Sequence, residues 1–195
     1  YRVMDATGKY VLCDCTGYRL DGTDTEPNMY VGIIINRSLA DTTDSVTGLG
    51  DIHALVNAIG EMRRVPHEAG FIAIKIDDIA KVNARFGFDA GDRVLAESAA
   101  CLMECSRGKG RLFRSTGPTF VALFDDLGPE EVDEIADEIE RFLGSPVLIG
   151  SLEYQPPIRV ATLHLDGVDR QPVPILNELN ALLKEAPQVP GTKLD

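Results

Sequence analysis

The chain has 195 residues, of which 44% are hydrophobic and 26% charged, enough for one cored domain and a smaller piece. Its formal net charge of −12 argues against nucleic acid and anionic membranes as partners, because both attract clustered Lys and Arg. No apolar run approaches the roughly 20 residues of a membrane span, and no signal peptide is visible. We therefore expect a cytoplasmic protein with no membrane contact from this segment.

The cysteines are scattered rather than clustered. Cys13 and Cys15 alternate within a strand-like run, while Cys101 and Cys105 lie one helical turn apart and far away in sequence. A zinc site would require two close pairs at ligand spacing, which neither pair has. We expect reduced, structural cysteines, no metal site and no resident cofactor.

Residues 1–38 are predicted to form strands and turns. A turn precedes a strand over residues 9–20, and a polar loop leads to an apolar strand over residues 29–35. Two or three antiparallel strands are too few to be stable alone. Because the chain opens at Tyr1 inside a predicted strand, we expect it to be part of a longer protein with further domains.

The polar segment 39–45 is predicted to be a connector, after which helices and strands alternate. The predicted elements are a helix capped by Asp51, a buried strand over 71–76, a helix over 79–85, a longer helix from Asp89, a hairpin of strands 111–115 and 120–124, a helix over 132–142, strands 146–149 and 158–165, and a helix over 175–183. This order favours an α/β (α+β) fold with a mainly antiparallel sheet flanked by helices, rather than a Rossmann fold.

Three motifs follow one another in register. The segment 44–49 reads Asp-Ser-Val-Thr-Gly-Leu and resembles the motif that opens GGDEF (diguanylate cyclase-like) domains. The segment 77–92 resembles the family's next motif in its Val-Asn, Phe-Gly and Gly-Asp steps. The family's signature loop then falls on Thr116, Gly117, Pro118, Thr119 and Phe120. Residues 46–188 are thereby identified as a degenerate GGDEF domain with the nucleotidyl cyclase-like fold.

The N-terminal piece has a resemblance of its own. Its Asp-x-x-Gly-Lys-Tyr start at residues 5–10, a long strand, and the Tyr-Val-Gly-Ile-Ile run at 30–34 resemble the C-terminal strands of a PAS sensor domain. Residues 1–38 are interpreted as this part of a PAS-like domain, without its helical half.

The resemblance places acidic metal ligands where this chain has none. Diguanylate cyclases join two GTP molecules with the help of Mg²⁺, which requires hard oxygen ligands. The strand-end ligand falls at Lys75, and the acidic third and fourth signature positions fall at Pro118 and Thr119. We therefore expect no catalytic residue and no cyclic di-GMP synthesis. Lys75 either pairs with Asp77 or takes the metal's place and contacts a triphosphate.

The family's base-recognition residues fall at Asn83 and Asp92, whose side chains suit guanine. A structural alternative is that Asp92 favours the first turn of a helix and Asn83 satisfies nearby backbone. The product-inhibition motif keeps Arg107 but loses its Asp. The family's C-terminal phosphate-contacting Lys falls near Pro187.

The sequence is compatible with three functions. The leading interpretation is a catalytically inactive signalling module that binds GTP through Asn83, Asp92 and Lys75, with a homodimer as a candidate assembly. The second is an active cyclase in which Asp77 or Asp78 holds Mg²⁺ in a non-standard site. The third is a dimerisation scaffold that binds no ligand.

Overall fold

The computed structural model describes residues 2–4, 10–20, 29–36, 42–62, 69–125, 127–143, 146–166 and 171–194. The chain divides into two compact units, Tyr1–Asp41 and Thr42–Asp195. The division falls inside the segment 39–45 that the sequence predicts to be a connector. No helix in these described ranges is both long enough and apolar enough to cross a membrane.

The described residues of the first unit form three strands, β1 (Arg2–Met4), β2 (Tyr10–Leu20) and β3 (Met29–Asn36). They form an antiparallel sheet in the order β1-β2-β3. The two predicted strands, 9–20 and 29–35, are confirmed to within one residue at each end. The predicted turn and polar loop lie outside the described residues, and the PAS-like interpretation stays a prediction.

The second unit has an antiparallel sheet with helices on both faces, as predicted. Its order is α1 (Ile52–Met62), β4 (Ala69–Ile76), α2 (Ile79–Phe86), α3 (Phe88–Ser106), β5 (Arg111–Thr116), β6 (Thr119–Phe124), α4 (Pro129–Leu143), β7 (Val147–Ile149), β8 (Leu152–Tyr154), β9 (Ile158–Leu165) and α5 (Pro172–Glu185). The main sheet has the strand order β5-β6-β4-β9, and β7 and β8 form a separate small hairpin.

Strand β4 is buried on both faces at the centre of this sheet. Because side chains alternate along a strand, Ile72, Ile74 and Ile76 join a core with α3 and α4. Phe71 and Ala73 join a second core with α1 and α5. This burial on both faces explains why the sequence of β4 is one continuous apolar run. The same alternation places Lys75 on the α1/α5 face at the strand end.

The start of α1 follows the predicted capping. The Asp51 carboxylate accepts hydrogen bonds from the backbone N–H groups of His53 at 2.8 Å and Ala54 at 2.9 Å. These bonds satisfy two donors that the first helical turn leaves without a partner.

Two local predictions were wrong or incomplete. Helix α3 begins at Phe88, so Asp92 lies in the second turn and not in the first. The helix dipole therefore does little for Asp92, since its effect fades within one turn. Strand β8 was not predicted, because β7 and β8 have only three residues each. Their tight turn depends on Gly150, at a φ of 62°.

The compact unit continues beyond residue 188, where the sequence places the domain boundary. The backbone N–H of Val189 donates to the Ile158 carbonyl at 2.8 Å, and the reverse bond is 3.1 Å. Further along, Thr192 N–H donates to the Gln155 carbonyl at 2.8 Å. The C-terminal segment thus runs beside the start of β9 and close to the end of β4.

Candidate functional site

The first motif is tied to the hairpin that carries the third motif. Asp44 accepts hydrogen bonds from Thr47, at 2.9 Å from its backbone nitrogen and 2.7 Å from its hydroxyl. Nη1 of Arg114 lies 3.0 and 3.1 Å from the two Asp44 carboxylate oxygens. Nε of the same Arg114 donates to the Gly117 carbonyl at 2.7 Å. One arginine therefore joins the connector end of the domain to the tip of the hairpin.

These contacts govern the ionisation of Asp44. Burial acts to raise the pKa of this carboxyl, but hydrogen bonds from Thr47 and Arg114, together with the Arg114 charge, outweigh it and hold the pKa below its usual value. Asp44 is therefore a charged structural anchor.

The first motif is also joined to strand β5 through backbone hydrogen bonds of Gly50. Its N–H donates to the Leu112 carbonyl at 3.3 Å, and its carbonyl accepts from Arg114 N–H at 2.7 Å. A Cβ at Gly50 would lie 2.6 Å from the Phe113 ring, so only glycine permits this approach to β5.

The hairpin between β5 and β6 is tight. Thr116 pairs with Thr119, which leaves Gly117 and Pro118 as a two-residue turn. Gly117 has a φ of 53°, and proline fixes a negative φ at the next position, which is the φ pattern of a type II′ turn. The Pro118 carbonyl accepts from Ile76 N–H at 3.0 Å. The tip of the hairpin is thus attached to the end of β4, and Phe120 is buried in the core.

Three side chains converge on Asp77 just beyond β4. Nζ of Lys75 lies 3.1 Å from Asp77 Oδ1, and Nε of Arg159 lies 3.0 Å from Asp77 Oδ2. The Gln188 side-chain amide donates to the same Oδ2. Burial would raise the Asp77 pKa, but the bonds from Gln188, Lys75 and Arg159 outweigh it and lower the pKa. Lys75 thus pairs with Asp77, and its contact with a triphosphate stays a prediction.

The neighbouring carboxylate is paired as well. Asp78 adopts a left-handed backbone conformation, with φ 62°, immediately before α2. Its carboxylate lies 2.9 Å from the Lys81 ammonium. The buried Tyr154 hydroxyl has no hydrogen-bond partner among the residues that the structure describes. Burial, followed by the Asp78 charge, raises the pKa of Tyr154 to about 12.

The arrangement at this strand end does not fit Mg²⁺, which prefers several oxygen ligands in a regular shell. Asp77 is paired with Lys75 and Arg159, and Asp78 is paired with Lys81. Among the residues whose side chains the structure places, no group of three His, Cys, Asp or Glu residues could hold a metal ion.

The packing of α2 on α3 places Asn83 against Gly91, the residue before Asp92. The buried Asn83 Oδ1 faces Gly91, where an added Cβ would lie 1.9 Å from that oxygen. Asp92 follows Gly91 directly and is exposed. Asn83 Oδ1 has no hydrogen-bond partner in the described part of the chain, so the alternative in which it satisfies backbone is not formed through this atom.

Arg107, the retained residue of the inhibition motif, is engaged on another surface. It ends α3 in a left-handed conformation with φ 49°. Its guanidinium lies 2.8 and 3.1 Å from the two Glu138 carboxylate oxygens on α4. Pro187 lies between α5 and the segment that pairs with β9, and the adjacent Ala186 carbonyl accepts from Arg159 at 2.8 Å.

Sequence reasoning missed Arg159 and Gln188. Arg159 interrupts an apolar strand near its start, which is a weak signal for a functional or paired cation. Its proximity to Asp77 depends on the register of β9 against β4, in which Lys75 stands opposite Arg159. Gln188 carries no local signal, because the path of the C-terminal segment decides its contacts.

The gathering of all three motifs around one end of an antiparallel sheet defines a nucleotidyl cyclase-like domain. The family model described as diguanylate cyclase, GGDEF domain, matches residues 41–168, which is more than half of the chain. The chain therefore belongs to the GGDEF family.

Two curated relatives share part of this sequence. Diguanylate cyclase DgcS of Shewanella oneidensis is 30% identical over 84 residues, covering 41% of this chain and 28% of that protein. Cyclic di-GMP phosphodiesterase PdeR of Escherichia coli is 28% identical over 113 residues, covering 57% of this chain and 17% of that protein. This chain thus spans less than a third of either relative.

Solved structures share the fold at low identity. The FimX GGDEF domain of Pseudomonas aeruginosa has a TM-score of 0.70 at 16% identity, covering 75% of this chain and 94% of that one. Diguanylate cyclase SiaD of the same organism, solved with its activator SiaC, has a TM-score of 0.69 at 20% identity, covering 76% and 58%. DgcB of Caulobacter crescentus, solved with c-di-GMP, has a TM-score of 0.65 at 18% identity, covering 73% and 78%.

Proposed function

We propose that residues 46–188 form a catalytically silent GGDEF module that binds GTP as a regulatory ligand within a longer cytoplasmic signalling protein. The observation that carries this proposal is the Lys75 ammonium, 3.1 Å from Asp77, at the position where the family resemblance places a metal ligand. Residues 1–38 would be the C-terminal strands of a PAS-like sensor that precedes it.

The ion pairs at the strand end support the loss of catalysis. Joining two GTP molecules requires Mg²⁺ to neutralise phosphate charge. A divalent ion at Asp77 would have to displace Lys75 and Arg159 from the carboxylate and then remain beside both cations. The same argument opposes the alternative in which Asp77 or Asp78 holds the metal, since Asp78 is paired with Lys81.

The hairpin offers no replacement ligand of the right kind. Its turn contains Gly117 and Pro118, and the Pro118 carbonyl already accepts a hydrogen bond from Ile76 N–H. Thr119 contributes a neutral hydroxyl and is 8% exposed. A weakly ligating hydroxyl beside a lysine does not supply the charge that a magnesium site requires.

The pair Asn83 and Asp92 supports retained guanine recognition. A carboxylate accepts from the N1–H and N2–H₂ groups of guanine, while an amide can serve the other edge of the base. Asn83 Oδ1 is buried against Gly91 and has no hydrogen-bond partner among the described residues, so this oxygen is not already engaged by another group of the chain. Gly91, the residue before Asp92, leaves the room that Asn83 needs to keep this position.

Family membership by itself leaves the activity open. DgcS is named a diguanylate cyclase, whereas PdeR is named a cyclic di-GMP phosphodiesterase. Related GGDEF sequence therefore occurs in proteins with opposite activities in cyclic di-GMP signalling, and the residues of the individual site must decide.

The catalytic half of the proposal is tested by incubating the protein with GTP and Mg²⁺ or Mn²⁺ and measuring cyclic di-GMP by mass spectrometry. We expect no product above a protein-free control. Turnover at physiological GTP concentration would overturn this half and favour the non-standard cyclase.

The binding half is tested by titrating GTP calorimetrically in the presence of EDTA. We expect saturable, metal-independent binding that Asn83→Ala and Asp92→Ala weaken by about tenfold or more, the size of one lost charged hydrogen bond. Asp89→Ala is the matched control, because it removes another exposed carboxylate at the start of α3. An absence of GTP binding would instead favour the ligand-free dimerisation scaffold.

A further inference from the structure

A groove of about 290 Å³ lies on the surface between α3, the end of α4 and the start of β7. Much of its lining is apolar and comes from Cys101 on α3, Phe142 and Leu143 on α4, and Pro146 and Val147 beyond it. The groove is slightly smaller than typical small-molecule sites, which have volumes of roughly 300–1,000 Å³. It has room for a few side chains of a partner rather than for an enclosed ligand.

Phe142 is exposed although the helix that carries it is well packed. Helix α4 buries Ile135, Ile139 and Leu143, whose spacing of four residues defines its core face. Phe142 lies at the edge of this face and is 51% exposed. Its ring also lines a second depression, of about 500 Å³, between α4 and the end of α3. An aromatic ring is thus presented between two concave surfaces, and such rings supply much of the binding energy at protein interfaces.

Carboxylates stand at the rim of the groove. Glu97 and Glu104 are exposed lining residues on α3, and none of the described lining residues is a cation. Neither glutamate forms an ion pair with a residue that the structure describes. The second depression has four carboxylates and three cations in its lining. Both surfaces beside Phe142 therefore carry net negative charge.

The residues that α3 contributes to the groove follow a regular pattern. Glu97, Cys101 and Glu104 are separated by four and three residues, which places them on one helix face with the apolar position in the middle. The two glutamates are about 10 Å apart along the helix axis. A partner helix aligned with α3 would match this pattern with an apolar side chain between two cations at the same interval.

A second copy of this chain does not fit the groove. In a twofold dimer the same surface meets itself, so Glu97 and Glu104 of one copy would approach the same residues of the other. The net charge of −12 adds a general repulsion between copies. The same charge opposes a nucleic acid or an anionic membrane. The complementary occupant is a protein segment with positive charge.

We infer that this groove docks an amphipathic basic helix of a partner protein. An apolar side chain of that helix packs against Phe142 and Cys101, while Lys or Arg residues on either side of it pair with Glu97 and Glu104. This is the helix-in-groove mode of recognition, with charge supplying the specificity. The inference goes beyond the proposed function, because it uses none of the residues that the proposed function assigns to GTP.

The probe is a synthetic peptide of about 18 residues, long enough to form a helix, with leucine on one face and lysine on the other. It is titrated into the whole ¹⁵N-labelled chain and followed by NMR. We expect saturable binding, with the largest shift changes at the backbone amides around Cys101 and Phe142. A peptide of the same pattern with Glu in place of every Lys should not bind. An absence of binding by the lysine peptide at millimolar concentration, or shift changes confined to other elements, would overturn the inference.

The apolar contact is tested by Phe142→Ala. This variant should weaken binding of the lysine peptide by about tenfold, the size of one central interface residue. Val173→Ala is the matched control, because Val173 is 64% exposed on α5, which packs against the other core. Both side chains are largely exposed, so thermal unfolding should show both variants folded. Equal affinities of the two variants for the peptide would contradict docking on Phe142.

The charged contact is tested by Glu104→Gln. Loss of this carboxylate should weaken peptide binding by about two- to fivefold, the value of an exposed ion pair, and high salt should abolish the difference. Glu185→Gln is the matched control, with the same charge change at an exposed glutamate on α5. If both variants lowered the affinity equally, the net charge of the chain would account for the attraction and the inference would fail.

Discussion

The end of β4 and the contact between α2 and α3 differ in how their polar side chains are hydrogen-bonded. At the strand end, Asp77 is saturated by three donors from the chain itself, Lys75, Arg159 and Gln188. Between the helices, the buried Asn83 side-chain oxygen has no hydrogen-bond partner in the described ranges. Native proteins rarely leave a buried polar atom unpaired, so the difference is that Asp77 is satisfied within the chain, whereas Asn83 Oδ1, on which the proposed guanine site rests, is not.

The substitution expected to have the largest effect on this difference is at Gly91. Gly91→Ala places a methyl group 1.9 Å from Asn83 Oδ1, so the amide must move. We expect a loss of about 1–3 kcal/mol in the free energy of unfolding, as for other overpacked sites, together with loss of GTP binding. Chemical denaturation and GTP titration measure the two effects.

Gly60→Ala is the matched control for this substitution. Gly60 also lies inside a helix, but an added Cβ would have no neighbour within 4 Å. It should stabilise the protein by up to about 1 kcal/mol, because alanine has the higher helix propensity. If Gly91→Ala stabilised the protein equally, the tight contact with Asn83 would be disproved.

Removing the Asp44 carboxylate tests how much its contacts with Arg114 and Thr47 stabilise the domain. Asp44→Ala leaves Arg114, whose side chain is 15% exposed, without its carboxylate and also removes the Thr47 bonds. We expect a loss of about 2 kcal/mol in unfolding free energy, discounted for partial exposure from the value of a buried pair.

Asp133→Ala is the control for Asp44→Ala. It removes the carboxylate that lies 3.0 Å from His164 and is 57% exposed, so its effect should stay within about 0.5 kcal/mol. Equal losses from the two variants would show that Asp44 is no more than a surface charge.

Acid should weaken the strand end selectively. The folded pKa of Asp77 lies below its ordinary value of 3.8, so its contribution to stability is present above that value and is lost as pH falls through the folded pKa. Stability measured from pH 6 down to pH 3 should therefore fall less steeply in Asp77→Asn than in the unmodified protein. If stability fell equally steeply with pH in both proteins, Asp77 would not be an ionised side chain stabilised by its three donors.

Local signals predicted much of this architecture. The Asp51 cap, the apolar run of β4 and the glycine between two strands at 116–119 each specify structure within a few residues. The site was less accessible, because the convergence of Arg159 and Gln188 on Asp77 joins positions 82 and 111 residues apart in the chain. Cross-strand register and the path of the C-terminal segment decide such contacts, and neither leaves a local pattern.

The smallest expected effect concerns that C-terminal segment. Gln188→Ala removes one of the three donors to Asp77, while Lys75 and Arg159 stay in place. Because Gln188 is exposed, we expect a loss of only about 0.5–1 kcal/mol, near the net value of a single hydrogen bond, with a rise in the Asp77 pKa. Denaturation and NMR titration of the carboxyl would measure both. Gln188→Glu should cost more, because it sets a second carboxylate against Asp77; if both variants behaved like the unmodified protein, Lys75 and Arg159 alone would account for the closure of the strand end.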